Sequence, residues 1–195
     1  MIHDSEHTGV YERVARAKAR GATVALATNV AQIAPLSEMG FLVVGDLRLS
    51  AYNRESVRVL RDFGVCALIP SPELSLPQVR DLGTGVATVY GRMPLMLTER
   101  CFIKENFSCD KCGSAAFVDR RGARFPVLRE ASHRNVIYNS LPTYMGDRKG
   151  ELARAGVKTA HFLFSVESER EVEEVIRAYR EGAPLDKQVR RMGRN

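Results

Sequence analysis

Short, nearly unbroken apolar runs recur along the chain, separated by stretches that alternate polar and apolar residues at helical spacing. The runs are T-V-A-L-A-T (23–28), F-L-V-V-G (41–45), V-C-A-L-I (65–69), V-A-T-V-Y (86–90) and T-A-H-F-L-F-S (159–165). They lack the polar alternation of a half-exposed strand, so each reads as a strand covered on both faces. Tyr11 to Arg20 reads as a helix stopped by Gly21, and Ala31 to Met39 as a short helix ending at Gly40. Asn53 is placed to cap a helix that runs to Phe63, with Gly64 as its stop, and Ser75 opens another short helix. Asp147 to Ala155 continues the pattern. Ser168-Glu169-Arg170-Glu171 is a capping box, opening a last helix to about Glu181, after which the tail reads as loose.

Strands alternating with helices predict an α/β fold with a parallel sheet and βα crossovers. A complete eight-stranded barrel takes about 250 residues, so five strands in 195 residues predict either a small open sheet or an arc of a barrel. The rhythm breaks between 91 and 146. F-V-D-R-R-G-A-R-F-P-V reads as a β-hairpin turning near Arg121-Gly122, and N-V-I-Y-N-S (135–140) as one more strand. The expected organisation is βα units over 1–91, an inserted segment over 92–146, and a closing helix–strand–helix with a basic tail over 147–195.

Composition narrows the class. Hydrophobic residues make up 45% and charged residues 27% of the chain, as in a globular protein. No apolar run approaches the roughly 20 residues that span a bilayer, so no membrane partner is expected. The segment M-I-H-D-S-E-H has no basic region leading into an apolar one, so no secretory signal is expected and the reading is cytoplasmic. The net charge of +6 favours a polyanion such as RNA. Arg120, Arg121 and Arg124, clustered on the expected hairpin, are the candidate RNA-binding residues.

In that setting the cysteines stand out, because three of the chain's four lie within C-F-I-K-E-N-F-S-C-D-K-C, 101–112. Disulfides are the weak explanation outside an oxidising compartment. Cys109-Asp110-Lys111-Cys112 places two thiolates for one metal, and Cys101 can fold back to the same point. Lys104 and Lys111 would offset the thiolate charge. Two outcomes fit: a [4Fe–4S] cluster with three cysteine ligands, or a structural zinc site completed by a fourth ligand. That fourth ligand is Cys66, His133 or an external group. Cys66, inside an apolar strand, also reads as a plain core residue.

Ligands in parallel α/β folds gather beyond the C-terminal ends of the strands. Those ends place Thr28-Asn29, Asp46, Tyr52-Asn53, Ser71-Pro72-Glu73, Tyr90-Gly91-Arg92 and Ser165-Val166-Glu167. Glu73 is a candidate acid or base, or equally a helix cap. Glu99 and Arg100 precede Cys101 and are candidate catalytic residues, or an ion pair with each other. Asn53, Tyr90 and Arg92 are candidate substrate-binding residues. No G-x-S-x-G, H-E-x-x-H or G-x-x-x-x-G-K-[ST] occurs, so the sequence offers no local cue for a serine hydrolase, a zincin or a phosphate-loop enzyme.

Five segments together carry a family resemblance: L-S-A-Y-N-R-E-S (49–56), S-P-E-L-S-L-P-Q-V (71–79), V-Y-G-R-M-P-L-M-L-T-E-R-C (89–101), D-R-R-G-A-R-F-P-V (119–127) and V-I-Y-N-S-L-P-T-Y-M-G-D (136–147). In order and spacing they resemble the U32 peptidase family, the collagenase-like proteases, from about residue 20 to 182. The resemblance implies the last five strands or so of a (β/α)₈ barrel of the TIM type, with an inserted cysteine-bearing hairpin. It also implies a cysteine-ligated iron–sulfur cluster, and hydroxylation or other modification of RNA or of a small aromatic substrate such as a quinone. The family's older label, peptidase, is the alternative. A zinc-stabilised RNA-binding module without catalysis is another. The chain departs from the family in two ways. The N-terminal barrel strands have no counterpart here, so a further segment or chain is an expected partner. The common E-x-F-x-x-G-A-x-C-x-x-x-x-G-x-C signature is replaced by T-E-R-C-x7-C-x2-C, which weakens the transfer of protease activity.

Overall fold

The computed structural model describes residues 7–106, 108, 115–130 and 133–193, and the chain divides into two compact units. The first comprises residues up to Ala87 together with Arg154–Thr159; the second comprises Thr88–Ala153 and the residues from Ala160 onward.

In the first unit the elements follow the apolar runs: α1 (His7–Ala19), β1 (Val24–Ala27), α2 (Ile33–Glu38), β2 (Leu42–Gly45), α3 (Arg54–Asp62), β3 (Val65–Leu68) and α4 (Leu76–Leu82). The three strands form a parallel sheet in the order β1-β2-β3, with Val24 opposite Leu42, Ala27 opposite Gly45 and Gly45 opposite Leu68. Helix α2 packs against β1 and β2, and α3 against β3. Ala27, Val43, Val65 and Leu68 are buried, as are Ile33, Leu36, Val57 and Leu60 on the helices. On the alternate positions Val24, Leu26 and Leu42 stay exposed, Leu42 at 60%. The expectation of strands covered on both faces therefore holds for one face only.

Cys66 corrects a second expectation, since it is exposed instead of being a core residue. The register slips between Val43 and Val44, so Val65 and Ala67 have partners on β2 and Cys66 has none. A bulged residue leaves the alternation of its strand, and the Cys66 thiol turns to donate to the Val43 carbonyl at 3.2 Å.

The second unit is built on β4 (Val86–Gly91) and β10 (Thr159–Leu163), strands that each begin in the first unit. Between them come β5 (Pro94–Thr98), α5 (Phe102–Asn106), β6 (Ala116–Val118), β7 (Arg124–Arg129), β8 (Asn135–Tyr138), β9 (Thr143–Tyr144) and α6 (Lys149–Arg154), and α7 (Glu169–Glu181) follows β10. One sheet has the order β10-β4-β9, with β9 antiparallel to β4; the other is antiparallel in the order β5-β8-β7-β6. The fold is thus mixed α/β with three small sheets, and no closed barrel is present among the described residues.

Tyr90, Tyr144 and Val175 form the buried centre of this unit, with Phe162, Phe164, Tyr179, Leu185 and Val189 packed around them. A smaller cluster joins Cys101, Ile103 and Val127 to Ala115 and Ile137. Helix α7 opens as the sequence predicts: the Ser168 hydroxyl accepts from the Glu171 amide and the Glu171 carboxylate accepts from the Ser168 amide, at 2.9 Å for the latter. Its C-terminus ends at Gly182 in the left-handed conformation.

The tail is held, not loose. Tyr144 N donates to Arg190 O at 3.0 Å and Arg190 N donates to Pro142 O at 2.8 Å, which makes a parallel bridge to β9. The Arg191 guanidinium grips the Asp147 carboxylate with two bonds of 2.6 and 2.8 Å and donates to Tyr144 O. The Tyr144 hydroxyl donates to Ala183 O at 2.7 Å. Bidentate arginine–carboxylate pairs are the strong ones, so this basic tail is ordered by the acid it finds. No helix among the described residues is long and apolar enough to cross a membrane.

Candidate functional site

Where β4 and β10 end, several of the polar residues marked by the sequence meet. Tyr90 is the last inward side chain of β4, Arg92 follows it, and Glu167 leads from β10 into α7. The Tyr90 hydroxyl donates to Glu167 Oε1 at 3.0 Å, and Arg92 Nε lies 3.9 Å from the same oxygen. Glu167 Oε2 accepts the backbone N–H groups of Ser165 at 2.7 Å and Val166 at 3.1 Å. The Glu167 side chain is only 2% exposed. Arg92 is fixed at its other end, where Nη1 donates to the carbonyls of Asn139, at 3.0 Å, and Ser140. Lys187, from the tail, donates to the Tyr90 hydroxyl at 3.4 Å and lies 5.7 Å from the centre of its ring. A carboxylate with donors on both oxygens is an anchor. It orients Tyr90 and Arg92 and is not itself a base waiting for a proton.

Burial, and then the charge and hydrogen bond of Glu167, push the Tyr90 phenol up from its ordinary value near 10. A group whose pKa rises on folding stabilises the fold fully below its unfolded pKa, and that stabilisation fades as pH climbs toward the folded value. Stability should therefore fall from about pH 10 upward. Urea unfolding midpoints across that range check this, and Tyr90→Phe should flatten the fall. An unchanged slope in that variant would assign the alkaline loss to other groups.

A second grouping surrounds Cys101, which is buried. It sits just ahead of α5, so its sulfur meets the free N–H groups of the first turn. Lys104 N donates to Sγ at 3.4 Å. Asn135 Nδ2, from the start of β8, lies 3.7 Å from Sγ. Cys109 and Cys112, the other two candidate ligands, lie outside the described residues. Among the described residues no group of three or more His, Cys, Asp or Glu side chains is placed to hold a metal ion. His133 is exposed, with a left-handed backbone of φ 59°.

The remaining candidates have partners of their own. Glu99 meets Arg134, a buried arginine, at 3.0 Å, while Arg100 pairs with Glu105 at 2.8 Å. The two neighbours are therefore not an ion pair with each other. Asn53 caps α3, its Oδ1 accepting from Ser56 N at 2.8 Å. Glu73 accepts a 2.5 Å bond from the Tyr52 hydroxyl, and the cap of α4 falls to Ser75 instead. Asn53 and Glu73 belong to the first unit, and Tyr90, Arg92, Glu99 and Arg100 to the second. Arg120, Arg121 and Arg124 are exposed on the β6–β7 hairpin. Its turn is tied by Asp119, whose carboxylate accepts from Arg121 N at 2.8 Å and Ala123 N at 2.9 Å.

Sequence reasoning missed Lys187 and Asn135. Neither sits in a motif, and each reaches its site only through tertiary packing. Glu167 was visible as a strand-end acid without an assigned role. In comparisons with known proteins, no family model, no curated protein and no solved structure matches this chain.

Proposed function

We propose that the chain is a metal–thiolate protein of the U32 type, an iron–sulfur enzyme or part of one. Cys101, Cys109 and Cys112 are its protein ligands. The observation that supports this best is the setting of Cys101, a buried sulfur receiving N–H groups from both Lys104 and Asn135. Donors converging on sulfur suit a thiolate that carries charge as a ligand, and such bonds tune iron–sulfur centres. When bound, a [4Fe–4S] cluster supplies one-electron chemistry. The chain's own residues shield the sulfur from water through Ile103 and Val127 and hold it by the two N–H contacts. Tyr90 and Arg92, fixed by Glu167, form a polar floor at the strand ends. On this reading they orient a substrate, RNA or a small aromatic molecule, that is hydroxylated or otherwise modified. The parallel order β1-β2-β3 is consistent with an arc of a (β/α)₈ barrel completed by a further segment or chain, in a cytoplasmic protein. Peptidase activity, the family's label, finds less support, since the His161 ring nitrogen Nδ1 is engaged with the Thr88 hydroxyl at 3.1 Å.

The tied hairpin favours a second reading. Asp119 holds a turn that presents Arg120, Arg121 and Arg124 to solvent, as a zinc-stabilised RNA-binding module would require.

Anaerobic purification with metal analysis and an absorption spectrum separates the two readings. Iron and sulfide in similar amounts with a brown colour are expected, and Cys101→Ala should lose both. Colourless protein with one zinc per chain would move the conclusion to the second reading, where RNA binding should weaken steeply with salt. Protein that holds neither metal overturns both.

A further inference from the structure

Asn135 is fully buried, at 0% exposure, beside an otherwise apolar cluster of Cys101, Ile103, Val127 and Ile137. Its Nδ2 donates to Arg134 O at 3.0 Å and faces Cys101 Sγ at 3.7 Å. Its Oδ1 is buried and has no hydrogen-bond partner. A buried polar atom left without a partner is uncommon in a native fold and asks for a reason. A neutral thiol supplies none, because it packs as a small apolar group. The Lys104 amide at 3.4 Å makes the same point from the other side, since it too offers a donor to the sulfur. Sulfur flanked by two N–H groups is arranged for negative charge.

We propose that Asn135 is a positioning residue of the metal centre at Cys101. Its side-chain N–H holds the ligand sulfur and draws electron density from it. The proposal rests on the metal–thiolate reading given above. Sulfur that donates less charge to iron favours the reduced cluster, so the contact raises the reduction potential. It also fixes the direction in which the thiolate points, as outer-shell partners of metal ligands do.

The test compares wild-type protein with Asn135→Leu, which keeps the volume and removes the donor, and with Asn135→Gln, which keeps a donor on a longer arm. Circular dichroism checks that each variant folds. A mediated redox titration followed by electron paramagnetic resonance reads the potential, and competition with a chelator reads metal affinity. Asn135→Leu should shift the potential downward and weaken metal retention about 10- to 100-fold, with Asn135→Gln between it and wild type. If Asn135→Leu does not fold, Asn135→Asp, of the same size and without the N–H, replaces it under the same two measurements. If the wild-type centre holds zinc, affinity alone carries the comparison. A wild-type protein that binds metal while the variants match it in potential and affinity overturns this proposal and leaves the metal reading standing. A wild-type protein that binds no metal overturns the metal reading itself, and this proposal with it.

Discussion

Gly91→Ala is expected to lower the stability of the second unit by about 3 kcal/mol, one of the largest effects of any single methyl group in this chain. Two costs combine. Gly91 has φ 143°, where residues with a side chain are strained. A Cβ built there would also lie 2.5 Å from Leu163 O and 2.7 Å from Leu163 Cβ. The obstacle is partly backbone of the neighbouring strand β10, so no side-chain rotation relieves it. In a domain of about 100 residues each kcal/mol moves Tm by roughly 4–8 °C, so a drop of about 12 °C or more is expected in a thermal melt. Gly122→Ala is the control. That glycine also has positive φ, 82°, but a Cβ there meets nothing within 4 Å. It should cost about 1 kcal/mol. Equal losses in the two variants would mean that the contact with Leu163 carries no weight.

Glu167→Ala should cost about as much, roughly 3 kcal/mol, for an electrostatic reason. The carboxylate is the shared acceptor of the Tyr90 hydroxyl and two backbone N–H groups and the only printed ion-pair partner of Arg92, whose side chain is itself only 19% exposed. Removing it strands a guanidinium that is anchored to the carbonyls of Asn139 and Ser140 and cannot swing out to water without breaking those bonds. Urea unfolding of Glu167→Ala, Arg92→Ala and the double variant measures this directly. The double variant should lose clearly less than the two single losses added together, because residues in one network are not additive. Strict additivity would show that the two groups do not stabilise each other.

All five apolar runs form strands, because period and propensity are local properties and the flanking caps agree with them. Ser168 with Glu171, and Asn53 with Ser56, close the capping arrangements that the sequence spells out. Which strand lies beside which is not local information. Hydropathy cannot tell that β4 turns from the parallel series to pair antiparallel with the two residues Thr143–Tyr144. Strand β5 escaped notice because P-L-M-L-T shows no alternation; it lies at a sheet edge, with Leu95, Met96 and Leu97 all about half exposed, and an edge tolerates a proline at its first position. The pair Glu99-Arg100 looked self-neutralising, yet successive side chains of an extended segment point to opposite sides. Each therefore takes a different partner, Arg134 and Glu105. Of the candidate site, the strand-end rule found Tyr90 and Arg92, and cysteine spacing found Cys101. Lys187 and Asn135 were illegible because one lies in a basic tail of ordinary composition and the other opens a strand where asparagine is unremarkable.

The docked tail has a consequence for how the protein is made. Strands β1, β2 and β3 end at Leu68, so that sheet has all its strands as soon as the first part of the chain has emerged from the ribosome. The centre formed by Tyr90, Tyr144 and Val175 is different, because Leu185 and Val189 are among the residues that cover it and Arg191 ties Asp147 in place. That core cannot close while residues 183–193 are still inside the exit tunnel. Until then the nascent polypeptide carries bare aromatic surface on β4 and β10, so synthesis leaves an interval in which a holdase chaperone has something to grip.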